Sequence, residues 1–246
     1  YAGDSSRDLE VWRSAREALL VHPRRGMADK VRELTVVRRV FEDPTSTAGE
    51  LLRAARPHQW AKNLLVFVPL VTSHQLFHPD IAARALLAFL AFSFCASRAY
   101  VLNDLLDLSD DRLHHAKRLR PFASGALPLA WAPPLSLGLL LAGAGLAAAG
   151  GGPLLKALAL YFAATVAYSA SLKRVYLLDV FCLAGLYTLR LFAGHAVTAI
   201  PYSAWLSGFS MFIFLSLALL KRAVEVRGLR TRQELLSPGR GYVAGD

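Results

Sequence analysis

The sequence predicts an all-α fold: a polytopic transmembrane helical bundle of about six spans, preceded by a short N-terminal cytoplasmic α segment. Three observations predict it. Of 246 residues, 54% are hydrophobic and only 19% charged, against roughly 25% charged in a soluble domain. The apolar residues are also gathered into runs: no Asp, Glu, Lys or Arg occurs between Arg120 and Lys156, or between Arg190 and Lys221. A membrane span needs ~20 such residues. Finally, the basic residues alternate from one interspan region to the next, as they do when one side of a bundle faces the cytoplasm. Disorder, a collagen-like repeat and a soluble α/β domain are thereby excluded.

Residues 1–62 read as a basic region of mixed polarity without a span. Asp8 to Leu20 has Leu9, Trp12, Ala15 and Leu19 near one face and predicts an amphipathic helix. Ala28 to Phe41 predicts a second, weaker one. Asp43-Pro44 interrupts the chain, and Ser46 or Thr47 can cap a third helix carrying Leu51 and Leu52. That helix runs into Arg56-Pro57-His58-Gln59-Trp60, whose indole and basic groups suit the headgroup layer. Spans are then expected at 63–78, 81–102, 129–149, 154–172, 177–198 and 203–222. Turn chemistry separates them at His78-Pro79-Asp80, Gly150-Gly151-Gly152-Pro153 and Ile200-Pro201. The first is short and contains Pro69. The chain opens at Tyr1 without a charged-then-apolar leader and reads as part of a longer protein.

Lys and Arg number 28 against 18 Asp and Glu, a formal charge of +10. Twelve of the 28 precede residue 63, four lie in 103–128, two are Lys173-Arg174 and six follow from Lys221. The alternate loops hold only Arg84 and Lys156. This asymmetry places the N-terminus, the 103–128 loop, the Lys173 turn and the C-terminal tail on the cytoplasmic face of a bacterial-type inner (plasma) membrane. The positive charge therefore reflects topology, and no nucleic-acid partner is expected. Cys95 and Cys182 fall in apolar runs without disulfide or metal spacing. The seven His residues lack zinc-site spacing.

The chemistry concentrates in Asn103-Asp104-Leu105-Leu106-Asp107-Leu108-Ser109-Asp110-Asp111-Arg112. Asp104, Asp107 and Asp111 are spaced three and then four, so they share one helix side, and Asn103 joins them. Like charges so placed repel unless a cation sits among them. Mg²⁺ suits such oxygen donors and recruits substrate phosphates to complete its shell. Arg112, Lys117, Arg118 and Arg120 follow and can bind the same phosphates. The bland alternative is a solvated charged loop. A second cluster, Tyr168 to Arg174 followed by Asp179, is placed on the same membrane face, where Lys173 and Arg174 could equally be interfacial anchors. Arg190 follows Asp179 by eleven residues, nearly on the same helix face and about 16 Å further into the membrane. A cation at that depth faces a bundle interior or wet cavity; contact with an anionic substrate is favoured over a packing ion pair. Arg98 lies nearer the cytoplasmic end, where snorkelling explains it. Phe209, Phe212 and Phe214 read as lipid-facing or packing surface that could also line a prenyl tunnel.

Together these residues resemble the UbiA superfamily of membrane transferases over roughly residues 55–246. The resemblance rests on Asn103-Asp104-x-x-Asp107-x-x-x-Asp111-Arg112, Arg120-Pro121 and Gly125, and then on Tyr168, Lys173 and Asp179. It continues through Arg190 and Gly194 to Lys221-Arg222 with Glu225. It implies an Mg²⁺-dependent enzyme in which a prenyl group leaves its diphosphate for a small or lipid acceptor. Asn103, Asp104, Asp107, Asp111 and Asp179 would hold the metal, with Tyr168 and Lys173 also catalytic. Arg56, Lys62, Asn63, Arg112, Lys117, Arg120, Arg190 and Lys221 would bind substrate. Arg56-Pro57-x-Gln59-Trp60-x-Lys62-Asn63 and the Tyr168-to-Lys173 spacing look closer to the decaprenyl-phosphate phosphoribosyltransferase branch. That implies a phosphoribosyl diphosphate donor and a polyprenyl phosphate acceptor instead. Tyr1 to Leu9 resembles the fourth motif of the haloacid dehalogenase superfamily, so residues 1–44 are expected to be the end of such a domain plus a linker, and 45–246 the transferase domain, short of its final helices. Asp4 and Asp8 could otherwise simply cap a helix. A transporter or non-enzymatic membrane partner remains the rival from another class. A CDP-alcohol phosphatidyltransferase would need Asp-Gly-x-x-Ala-Arg where Ala99-Tyr100-Val101-Leu102 stands.

Overall fold

Within the first fifty residues the helical expectation fails at Glu17–Val21 and Val36–Phe41, which are extended. The computed structural model describes residues 1–3, 5–21, 23, 26–41 and 47–232 and divides into units Tyr1–Glu50 and Leu51–Asp246. Asp4, Asp43, Pro44 and Ser46 lie outside the described residues.

In the first unit, β1 (Ala2–Gly3), α1 (Leu9–Ser14), β2 (Glu17–Val21), α2 (Met27–Arg32) and β3 (Val36–Phe41) alternate. The strands form a parallel sheet in the order β1-β2-β3. The helix expected over Asp8 to Leu20 stops at Ser14, and Ala15 is extended (φ −88°, ψ 141°). Ala18 and Leu20 then bury on alternate positions beside Trp12, Met27 and Val31. The helix expected over Ala28 to Phe41 likewise ends at Arg32, and Val36, Val37 and Val40 enter β3. Branching at Cβ favours extended backbone there. The N-terminal α segment is thus corrected to a small parallel α/β layer. Asp8 accepts hydrogen bonds from the Ser5 N–H (3.1 Å) and the Tyr1 Oη (3.0 Å).

The chain passes from one unit to the other within α3 (Thr47–Ala55), and the second unit is helical. A 3₁₀ segment, Pro57–Phe67, leads to α4 (Val68–Thr72), then α5 (Pro79–Leu106), α6 (Leu108–Leu113) and α7 (Pro121–Ser124). They are followed by α8 (Ala132–Ala149), α9 (Gly152–Ala170), α10 (Leu178–Thr198) and α11 (Ala204–Arg232). Among the described residues five helices are long and apolar enough to cross a membrane: Pro79–Leu106, Leu129–Ala149, Gly152–Ala170, Leu178–Thr198 and Ala204–Gly228. They correspond to the last five expected spans, and the chain is a multi-pass membrane protein. The expected span 63–78 is not a continuous helix. Pro69 lacks an N–H and cannot donate back into the preceding turn, so the tighter 3₁₀ winding ends and a separate short helix begins.

Helix α5 is central, packed along α8 and against α9, α10 and the 3₁₀ segment. It presents Ala85, Ala88, Ala91 and Ala96 to the core, where Val66, Phe92, Leu154 and Tyr161 meet them. Lipid offers no hydrophobic drive between helices, so small residues that let backbones approach dominate such interfaces. At Gly143 an added Cβ would lie 3.1 Å from the Ala91 carbonyl oxygen. At Gly194 it would overlap the Val66 carbonyl oxygen and stand 3.1 Å from Pro69 Cγ. Gly194→Ala is therefore expected to push the 57–67 segment off α10. The thermal midpoint in detergent should fall by the equivalent of about 1–3 kcal/mol; an unchanged midpoint would show that this contact is not tight. On α11, Phe209 and Phe212 face outward, whereas Phe214 stacks on Tyr187 with centroids 4.6 Å apart.

Candidate active site

The acid motif is built across a helix junction. Asp107 (φ −98°, ψ 15°) ends α5 and begins α6, yet the hydrogen bonding stays helical: its N–H donates to Asn103 O at 2.9 Å, and the Asp111 N–H to Asp107 O at 2.8 Å. The three-then-four register therefore survives the break. Asp104 and Asp111 are 2% and 0% exposed, and carboxylates so buried need partners. Arg56 supplies the first. The residue before a proline avoids the right-handed helical region, and Arg56 sits left-handed at φ 53°, donating Nη2 to Asp104 Oδ1. Arg120, held just ahead of Pro121 at the start of α7, donates Nη1 to Asp104 Oδ1 at 3.1 Å and also to Asp111 Oδ2. Lys117 Nζ stands 3.7 Å from Asp111 Oδ1. The chain Arg56–Asp104–Arg120–Asp111–Lys117 is thus one ion-pair network. Asp107 instead meets Lys173 Nζ at 3.5 Å, which joins the two sequence clusters.

The donor set suits Mg²⁺ in chemistry: carboxylates and the Asn103 amide, all hard oxygen. Asp104 Oδ2 is buried without a hydrogen-bond partner, so this acid retains an oxygen that a cation could take, whereas Asp111 Oδ1, also without a hydrogen bond, faces Lys117. Among the described residues no three His, Cys, Asp or Glu side chains converge as a ready-made metal cage. The arginines and lysines now neutralise these acids and hold Asp107 to a different partner. Mg²⁺ commonly uses one or two carboxylates and completes its shell with substrate phosphates, so a finished cage is not required.

The remaining expected residues fall into three places. Tyr168, at the end of α9, is half-buried within electrostatic reach of Asp179 and Arg222. Asp179, fully buried in the first turn of α10, accepts from Arg222 Nε at 2.6 Å, and Arg222 Nη1 donates to Glu225 Oε2 at 2.5 Å. Lys62 is half-buried and Lys221 exposed, the two within electrostatic reach of each other. Arg112 is exposed on α6.

Arg190 has a different environment from the substrate contact expected of it. Its Nε donates to Asn63 Oδ1 at 2.6 Å, its Nη2 to Tyr161 Oη at 2.9 Å and its Nη1 to Leu186 O at 2.5 Å. The guanidinium also lies over the Tyr161 and Tyr187 rings, at 4.8 and 5.3 Å. Asn63 in turn donates to Ser93 Oγ at 3.0 Å. Nearby, Trp60 Nε1 donates to Ser97 Oγ at 2.9 Å, and Ser97 Oγ donates to Ala55 O at 2.6 Å. Arg190 thus ties the 3₁₀ segment to α5 and α9, and Trp60 packs on α5 where headgroup exposure was expected. Sequence reasoning missed Tyr161, for which no signal existed, and the burial of Arg222, although the motif Lys221-Arg222 with Glu225 contained it.

Two apolar pockets adjoin these groups. One of about 110 Å³ lies between α5 and α9, lined by Arg98, Asn103, Phe162, Thr165, Val166 and Ser169 among others. Another of about 400 Å³ lies among α9, α10 and α11, beside Leu186, Phe192 and Met211.

The model of the UbiA prenyltransferase family matches residues 64–232. The chain is 38% identical over 248 residues to uncharacterized protein y4nM of Sinorhizobium fredii, covering 100% of this chain and 48% of that protein. It is 34% identical over 211 residues to the decaprenyl-phosphate phosphoribosyltransferase of Mycolicibacterium smegmatis, covering 81% of this chain and 66% of that one. It therefore spans about half the length of the first relative and just under two thirds of the second. A solved UbiA homolog from Archaeoglobus fulgidus, bound to GPP and Mg²⁺, superposes with a TM-score of 0.60 at 23% identity, covering 68% of this chain and 60% of that one.

Proposed function

Because this chain belongs to the UbiA prenyltransferase family, we propose that it is the core of an integral-membrane, Mg²⁺-dependent transferase. It moves a prenyl group from a prenyl diphosphate to a small or lipid acceptor with loss of diphosphate. The observation that carries the reading is the buried network in which Asp104 and Asp111 share Arg120, beside the Asp107–Lys173 pair. Such a cluster combines anionic oxygens for a metal with cations for a diphosphate. A transporter would have no need of both at the end of a span.

Asn103, Asp104, Asp107 and Asp111 would hold one Mg²⁺ and Asp179 help hold a second; the chemistry supplied is neutralisation of charge on the departing oxygens. Lys117, Arg120, Lys173 and Lys62 bind the diphosphate, exchanging carboxylate for phosphate partners as it arrives. The arginines are already oriented by their acids, so little reorganisation remains at the moment of bond breaking. The cationic carbon forms in a water-poor setting, where the Tyr168 ring face stabilises it. Site and N-terminus face the cytoplasm of a bacterial-type inner membrane. Residues 1–44, whose described strands form a parallel sheet ending at Phe41, are the end of a haloacid dehalogenase-like domain.

A second reading is favoured by a specific observation. Arg56 and Asn63, from the segment resembling the phosphoribosyltransferase branch, are both built into these networks, and the Mycolicibacterium relative carries that activity in its name. The donor is then phosphoribosyl diphosphate and the acceptor polyprenyl phosphate. Membranes containing the full-length protein, incubated separately with each labelled donor and its acceptor, decide between them. Lipid-soluble product from prenyl diphosphate alone supports the first reading, and from phosphoribosyl diphosphate alone the second. Product from neither overturns both. EDTA should abolish the signal and added Mg²⁺ restore it.

A further inference from the structure

The ion-pair network rests on an aromatic ring that no role assigned above employs. Tyr100 stands four residues before Asp104 on α5, one turn away on the same helix side. The guanidinium carbon of Arg56 lies over its ring, 5.2 Å from the centroid, while the same guanidinium donates Nη2 to Asp104 Oδ1. Two side chains of one helix side thus hold Arg56, one at its edge and one against its face. The rest of its guanidinium N–H groups have no hydrogen-bond partner among the described residues, and the side chain is 17% exposed. Tyr100 Oη likewise makes no hydrogen bond with any described residue, so it is the ring that Arg56 meets.

Two features make Arg56 hard to hold in place without that ring. Its backbone is left-handed (φ 53°, ψ 58°), a conformation that Cβ disfavours, so nothing local sustains its aim. Asp104 Oδ1 also accepts from Arg120, so two guanidinium groups converge on one oxygen and repel each other. A ring face attracts a cation most strongly where water is scarce, and Tyr100 is only partly exposed. We propose that Tyr100 is a positioning residue: its ring fixes the plane of Arg56 and so presents the free N–H groups of that guanidinium to a diphosphate bound at the Asp104–Arg120 cluster. The inference rests on the transferase reading and deepens it, and it holds for either donor, since both carry a diphosphate. A planar fork already stacked on a ring loses little freedom when it takes up phosphate. An unsupported one has to be ordered as the ligand binds.

The test is a double-mutant cycle read by binding, without turnover. Inorganic diphosphate with Mg²⁺ is titrated against the full-length protein in detergent, and thermal stabilisation gives the apparent affinity. Tyr100→Leu should weaken it by about five- to thirtyfold, the loss of a cation–ring contact shielded from water. Tyr100→Phe keeps the ring and should stay within about twofold of the parent. Arg56→Gln should weaken binding at least as much as Tyr100→Leu, and adding Tyr100→Leu to it should change nothing further, because the ring acts through the cation. A packing role alone would lower the unliganded midpoint and weaken binding alike in both backgrounds. Tyr100→Met provides a second ring-free side chain should the leucine variant not fold. In turnover, Tyr100→Leu should raise the donor KM and leave the acceptor KM unchanged. Additive losses, parent-like affinity in the ring-free variants, or an equal loss in Tyr100→Phe would overturn the proposal; the last would assign the effect to the hydroxyl. A parent protein that gives no product from either labelled donor, with the binding cycle as expected, sinks the transferase reading alone. A parent that does not bind diphosphate sinks both.

Discussion

Asp104→Asn is expected to lower turnover about 100- to 1,000-fold, the range for losing one preorganised electrostatic group, while the protein still reaches the membrane. Asparagine keeps the shape and one acceptor oxygen but removes the negative charge. Asp104 now receives both Arg56 and Arg120 on Oδ1 and keeps Oδ2 buried without a partner. The variant therefore loses the oxygen anion proposed above to hold Mg²⁺ and leaves two guanidinium groups without the charge that orients them. Those cations then collapse onto Asp111 or onto incoming phosphate in unproductive geometry. Product formation at matched protein level is the measurement, with Asp110→Asn as comparison. Asp110 is exposed on α6 one position before Asp111, out of the three-then-four register, and its variant should turn over like the parent. Activity of Asp104→Asn within about tenfold of the parent would remove Asp104 from the site.

The second large effect concerns Arg190, to which its hydrogen bonds lead us to assign a positioning role. Arg190→Met deletes the hub joining Asn63, Tyr161 and the Leu186 carbonyl. Each buried polar group left without a partner costs about 1–3 kcal/mol. Removing a buried cation returns part of that, since its desolvation is no longer opposed. A net loss of roughly 2–4 kcal/mol follows for the two orphaned side chains. Arg190→Lys should not rescue it, because an ammonium cannot span three fixed acceptors with the planar fork of a guanidinium. Hydrogen exchange should rise selectively over residues 57–67, and kcat should fall because Arg56 and Lys62 flank or lie on that segment. Unchanged stability together with a higher donor KM would return Arg190 to the substrate-contact role that its depth first suggested.

The difference between these residues shows where sequence reasoning reaches. The spacing of Asp104, Asp107 and Asp111 is local, and helical periodicity carries it even through the break at Asp107. The five long spans are local as well, since each is a composition of ~20 consecutive residues. The failures have the same origin. Between Asp8 and Leu20 the apolar positions fit a helix and a helix-then-strand almost equally, and pairing of β2 with a distant strand decided the matter. Over 63–78 composition pointed to a span, but Pro69 and the fit against α5 and α10 wound the backbone into a 3₁₀ segment and a short helix.

The sequence by itself determined a membrane-embedded helical bundle and an acid motif with basic residues following it, because both are written in neighbouring residues. Only the tertiary structure decided the partners: Arg56 with Asp104 across 48 residues, Lys173 with Asp107 across 66, and Asn63 with Arg190 across 127. Charge and size permit many such pairings along a chain with 28 basic residues. The choice among them is made by which backbones the small-residue interfaces of α5 and α10 allow to approach, and that is a property of packing in three dimensions.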